Sequence, residues 1–131
     1  MRYLAALTGL LTSGIVLVSF SLLQRYAVSG ESMLPAFKPG DRLIAESWTY
    51  RLRAPRPGDV VVLRQFAGDG RKDLKRIVAG PGATASVLGI PTPLGPDEWY
   101  VLGDNLDAST DSRRLGPVQR QDILARVWFK Y

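Results

Sequence analysis

Leu4 to Leu23 form an uncharged, apolar run of twenty residues, and this run divides the chain before any other feature is considered. As a helix rising 1.5 Å per residue it is about 30 Å long, the thickness of a bilayer hydrocarbon core. Arg2 and Tyr3 stand at one end and Arg25 and Tyr26 at the other, the charges and aromatics that anchor a span at its two interfaces. The competing reading is a cleavable leader, since Ala27-Val28-Ser29 offers small residues at a suitable separation; its apolar stretch would then be unusually long. The start amine and Arg2 favour a cytoplasmic N-terminus, while Arg25, Lys38 and Arg42 crowd the other side, so charge alone leaves the orientation open. The expectation is a membrane anchor at residues 1–25 and one small folded domain at 26–131, too short for two.

Beyond Ser29, short apolar runs are broken by Gly, Pro and Asp. Arg42 to Trp48, Val60 to Arg64, Leu74 to Ala79, Trp99 to Leu102 and Ile123 to Tyr131 read as strands, punctuated by Pro39-Gly40-Asp41, Pro57-Gly58-Asp59, Gly68-Asp69-Gly70 and Pro81-Gly82. Thr84 to Pro96 reads as a hairpin or loop. No stretch outside the apolar run keeps a helical period for ten residues, so the expected class is mainly β, a compact antiparallel domain.

Composition narrows the chemistry. The chain has no histidine and no cysteine, so Ser-His and Cys-His pairs and thiolate or imidazole metal sites are excluded; an activated serine would need lysine or a carboxylate as its base. The net charge of +5 comes from basic residues scattered from Arg2 to Lys130 among the acids. With no basic run or aromatic-basic motif, nucleic acid is not an expected partner; a surface of anionic lipid is the milder use of the excess. No disulfide scaffold is possible, and a hydrophobic fraction of 46% argues against disorder.

Two residues stand out. Lys75 lies in a strand-like stretch whose alternation puts it on one face with Asp73, Ile77 and Ala79, where its amine can be desolvated. A free lysine titrates near 10.4, so work as a base near neutrality needs a depression of about 2 to 3 units, which burial can supply. The alternative is a solvated lysine whose stem covers Ile77. Ser32, in Ser29-Gly30-Glu31-Ser32-Met33-Leu34-Pro35, is either a nucleophile or part of a cap on a short turn. A second polar cluster, Gly103 to Arg113, follows a strand end and reads as a site-orienting loop or as a surface turn held by its own Asx bonds.

Four stretches together resemble the ordered motif boxes of type I signal peptidases. They are Ser-Gly-Glu-Ser-Met-Leu-Pro (29–35), Arg-Pro-Gly-Asp-Val-Val-Val (56–62), Lys-Arg-Ile-Val-Ala-Gly-Pro-Gly (75–82) and Gly-Asp-Asn-Leu-Asp-Ala-Ser-Thr-Asp-Ser-Arg-Arg-Leu-Gly (103–116). The resemblance implies a β-rich, LexA-like Ser-Lys protease domain with Ser32 as nucleophile and Lys75 as general base. Ser109 would orient the lysine, Asp111 and Arg113 would pair to shape the site, and Gly103, Asp104 and Asn105 would form the turn leading into it. Met33 and Leu74 would line a pocket for small substrate side chains. Gly30 stands where many Gram-negative and thylakoid members carry a serine hydroxyl for the oxyanion hole, so backbone N–H groups at Gly30 and Ser32 must serve. Ala36 and Ala83 also depart from the usual threonine and aspartate, without touching the proton transfer.

The chain lacks the large inserted domain of some members and is similar to compact Gram-positive and mitochondrial inner-membrane forms. The implied activity is removal of N-terminal signal peptides from exported preproteins bound as extended strands, with no metal or cofactor. The implied location is the bacterial cytoplasmic membrane, single-pass, with the catalytic domain on the extracytoplasmic side, or an organellar inner membrane. Rival readings are a dedicated pilin or conjugation maturation peptidase, a self-cleaving repressor-type protease, which the apolar run disfavours, and a non-catalytic membrane-tethered β module.

Overall fold

The computed structural model describes residues 22–64 and 70–131. The apolar run up to position 21, and positions 68 and 69 of one expected turn, lie outside the described residues. Among the described residues no helix is long and apolar enough to cross a membrane.

The described residues form strands β1 Leu23–Ala27, β2 Arg42–Glu46, β3 Val60–Leu63, β4 Asp73–Ala79, β5 Thr84–Val87, β6 Ile90–Pro93, β7 Glu98–Leu102, β8 Val118–Gln119 and β9 Ile123–Lys130. Two one-turn helices, α1 Thr49–Leu52 and α2 Ser112–Leu115, join them. Seven strands make one sheet in the order β1-β2-β9-β3-β4-β7-β8, and β5 pairs with β6 in a separate hairpin. Every neighbouring pair is antiparallel, so the architecture is the mainly β, antiparallel one expected.

β3 shows why the apolar pattern is continuous there and not alternating. All four of its residues are buried. Val61 and Leu63 pack with Tyr50, Ile77, Trp99, Val101, Val118 and Ile123 on one face. Val60 and Val62 pack with Met33, Leu43, Ala45, Ala125 and Val127 on the other. A strand covered on both faces has no solvent side to mark with polar residues. Register shifts between Ile44 and Ala45, Val62 and Leu63, and Ile77 and Ala79 bend the sheet, because an extra residue in one strand adds local twist.

The expected strands all form, with ends that differ by one or two residues, and Thr84 to Pro96 contains the β5–β6 hairpin. Its two turn residues, Leu88 and Gly89, both take positive φ (55° and 77°), the backbone a tight two-residue hairpin needs. Two strands were not expected. β8 is too short to carry a pattern. β1 begins at Leu23, the residue taken as the last of the membrane span, and runs across the boundary expected between residues 25 and 26. Hydropathy reads Leu23 with the run before it; pairing with β2 from Leu23↔Glu46 to Ala27↔Arg42 supplies its backbone with partners in the sheet.

Candidate active site

Ser32 lies in the segment between β1 and β2, which leaves the sheet and returns to it at one point. Val28 N–H donates to Asp41 O at 2.9 Å and Gly40 N–H to Val28 O at 2.8 Å, closing the base of the loop. Inside it, Leu34 N–H donates to Glu31 O and Phe37 N–H to Met33 O, making a tight turn around the nucleophile candidate. Met33 anchors that turn: only 1% exposed, it fills the core face formed by Leu43, Ala45, Val60 and Val62. The serine is therefore fixed to the core through the residue that follows it.

Lys75 comes from the middle of β4, where Lys75, Ile77 and Ala79 alternate inward as the sequence pattern requires. Lys75 is 3% exposed, and its Nζ lies 3.3 Å from Ser32 Oγ. Burial pushes the amine below the ordinary lysine range, and the charges of Asp73 and Asp111 pull it part of the way back. Burial of this kind disfavours the charged form, and the neutral amine is the form that can accept a hydroxyl proton. The solvated-lysine alternative does not describe this side chain.

The polar loop after β7 is built around Asp111, which is 1% exposed. Its carboxylate accepts from Gly103 N–H at 3.0 Å and from Arg113 Nε at 2.8 Å. Burial raises its pKa, and the Arg113 and Gly103 bonds outweigh that, holding it below the usual carboxylate value. Arg113 also donates to Leu106 O and Ser109 O, so one guanidinium ties both ends of the 106–111 turn. Gly103 has a steric reason. A Cβ there would collide with Ser109 Oγ, and would lie 2.5 Å from Ser109 Cβ and 2.6 Å from Ser32 O. The loop thus passes directly against the backbone of Ser32.

Asn105 completes that contact: its N–H donates to Ser32 O at 2.8 Å and its Nδ2 to Glu31 O at 3.1 Å. Asp104 pairs with Arg76 through two bonds of 2.9 Å. Sequence reasoning left Arg76 out, although it adjoins Lys75. Its signal lies in the pairing Arg76↔Leu102, which sets the guanidinium beside the loop that follows β7. Ser112 was also passed over; its buried hydroxyl accepts from Val101 N–H at 2.9 Å and satisfies a β7 amide.

Ser109 differs from expectation. Its Oγ is buried without a hydrogen-bond partner, so the bond expected between Ser109 and Lys75 is not formed. The hydroxyl lies close enough to Asp111 to lower that carboxyl's pKa, but not in hydrogen-bonding geometry. Close packing against Gly103 holds it there.

A cleft of about 270 Å³ opens beside Ser32. It is lined by Tyr26 to Gly30 and by Arg71 to Leu74, together with the buried Met33, Leu43 and Val62. Met33 and Leu74 both line it. A Cβ added at Gly30 would meet nothing within 4 Å, so this position is open where relatives with a serine would place a side chain.

The chain matches the family described as signal peptidase, peptidase S26, over residues 1–91 and 85–131. It is 32% identical to signal peptidase I of Leptolyngbya laminosa, over 79% of this chain and 66% of that protein. It is 38% identical to the mitochondrial ATP-independent inner membrane protease subunit 1a of Arabidopsis thaliana, over 77% and 68%. With the probable signal peptidase I-1 of Synechocystis it shares 28% identity over 88% of this chain and 74% of the other, so the match spans about two thirds to three quarters of these relatives. With matches running the length of the sequence and a buried lysine against the serine of the first motif, the chain belongs to the signal peptidase family, peptidase S26.

Proposed function

We propose that this protein is a membrane serine endopeptidase that removes signal peptides from exported preproteins, with Ser32 as nucleophile and Lys75 as base. Removal of signal peptides is the activity of the family to which it belongs. The observation that carries the residue assignment is the 3.3 Å approach of a nearly inaccessible lysine amine to a serine hydroxyl. The neutral amine takes the Ser32 proton as Oγ attacks the carbonyl before the cut. The resulting ammonium gives the proton to the leaving amine, and an acyl-enzyme remains. Lys75 then takes a proton from water, the attack of that water breaks the acyl–Oγ bond and releases the signal peptide, and Lys75 returns the proton to Ser32 Oγ. Backbone N–H groups around Gly30 and Ser32 receive the oxyanion.

The preprotein lies as an extended strand between the Tyr26–Gly30 wall and the Arg71–Leu74 wall, so main-chain bonds give affinity. Met33 and Leu74 leave room only for small side chains next to the cut. Asp111 with Arg113 and Asp104 with Arg76 hold the loop against the serine, and Ser109 steadies Lys75 once substrate repacks the site. The protein is held in the bacterial cytoplasmic membrane with its catalytic domain outside.

The test is to incubate the full chain, in detergent, with a general secretory preprotein and to locate the broken bond. One cut at the signal-peptide junction is expected. No cut by the intact protein contradicts the reading; cleavage confined to pilin-type substrates assigns it to a dedicated maturation peptidase.

A further inference from the structure

Asn105 grips both peptide groups that flank the nucleophile. Its own N–H bonds Ser32 O at 2.8 Å, and its side-chain Nδ2 bonds Glu31 O at 3.1 Å. The Glu31–Ser32 peptide is trans, and in a planar trans peptide the C=O and the N–H point in opposite directions. A donor holding the Glu31 carbonyl therefore also aims the Ser32 N–H, and it aims it away from Asn105. Among the described residues that N–H has no hydrogen-bond partner, so it is an open donor with a fixed direction.

Within the turn Glu31 O also accepts from Leu34 N–H, Phe37 N–H closes the next turn on Met33 O, and the buried Met33 side chain fixes the loop to the core, so Asn105 Nδ2 adds a second donor to that carbonyl from across the fold. Asn105 is held in turn by its neighbours, Asp104 through Arg76 and Gly103 through Asp111. It bonds to neither Lys75 Nζ nor Ser32 Oγ.

We infer that Asn105 is a positioning residue that sets the direction of the Ser32 N–H as oxyanion donor, by holding the Glu31–Ser32 peptide plane. The inference rests on the proposed Ser32 chemistry. Its value to the reaction is preorganisation: a donor that does not reorient when charge develops on the carbonyl oxygen contributes most to the transition state.

The test uses the full chain and two variants. Asn105→Asp keeps the shape and the backbone bond but replaces the donor with an acceptor; Asn105→Ala removes the donor without adding charge. Losing an oxyanion donor outright costs about 10² to 10³ in kcat, so a misdirected one is expected to cost about 10- to 100-fold. KM should stay within about 3-fold, and the pH midpoint of kcat/KM should not move. A peptide boronate, whose tetrahedral adduct places an oxygen where the oxyanion forms, should lose affinity in step with kcat/KM. An uncleavable peptide of the same sequence should bind as before.

Equal losses for both ligands, a shifted pH midpoint, or failure of both variants to fold would mark Asn105 as structural and overturn the inference. So would variants that cut as fast as the parent. A parent protein that leaves the preprotein uncut overturns the proteolytic reading itself, and that outcome is distinct from the others.

Discussion

Among the described residues no acid is hydrogen-bonded to the buried Lys75 amine, a setting that suits the proposed role as a base. Its folded pKa lies below the free value near 10.4. Between those two values the unfolded chain binds a proton that the folded chain does not, so stability rises with pH across that window. Below the folded value the cost of burial is constant. Lys75→Met should therefore be inactive yet more stable than the parent at neutral pH, with the difference fading toward pH 10.4 in denaturant titrations at several pH values. The parent's kcat/KM should rise with pH through the depressed lysine value.

Two glycines give a matched contrast at the same scale. Gly103→Ala drives a methyl into Ser109 and the Ser32 carbonyl, and should cost about 1 to 3 kcal/mol as well as activity. Gly30→Ala enters open space and should change stability by less than about 0.5 kcal/mol. Melting curves of the two variants check both. Ser109→Ala removes a buried hydroxyl that has no partner, so stability should hold or rise. Turnover should still fall about 10- to 100-fold if the hydroxyl steadies the lysine, a magnitude taken from outer-shell residues of metal sites.

At the level of elements, β4 was readable because its alternation is strict, and β3 because an uninterrupted Val run bounded by turns is the mark of a doubly covered strand. β1 was not. Its first residue merges with an apolar run, and Gln24, Arg25 and Ala27 are all exposed, so no periodic signal separates strand from span. The proposed catalytic pair was legible as two motif boxes, Ser32 in one and Lys75 in another. The contacts that hold the boxes together were not, because Arg76 meets Asp104 only through the β4–β7 register and Asn105 meets Ser32 only across the fold. Asp111 shows what such contacts contribute. Its folded pKa lies below the free value near 3.9, so its stabilisation is full above that pH and is lost as pH falls through the folded value. Asp111→Asn should thus be less stable than the parent at pH 7, and the gap should close in acid.

For the whole molecule, the fold brings together groups 43 residues apart in sequence, beside a cleft that Tyr26 to Gly30 help to line. Because β1 pairs with β2 from Leu23 onward, a soluble form should start before Leu23; one starting at Arg25 gives up the pairs Leu23↔Glu46 and Gln24↔Ala45. Such a soluble form should keep its rate on short peptides and lose rate on membrane-inserted preproteins, through lost effective concentration. The central claim is that Ser32 and Lys75 are one proton-transfer unit. The most direct measurement is single-turnover cleavage of a preprotein by Ser32→Ala, Lys75→Ala and the double variant, each confirmed folded. The account predicts that each single change is as damaging as both together. Retention of more than about a tenth of the parent rate by either single variant would contradict it.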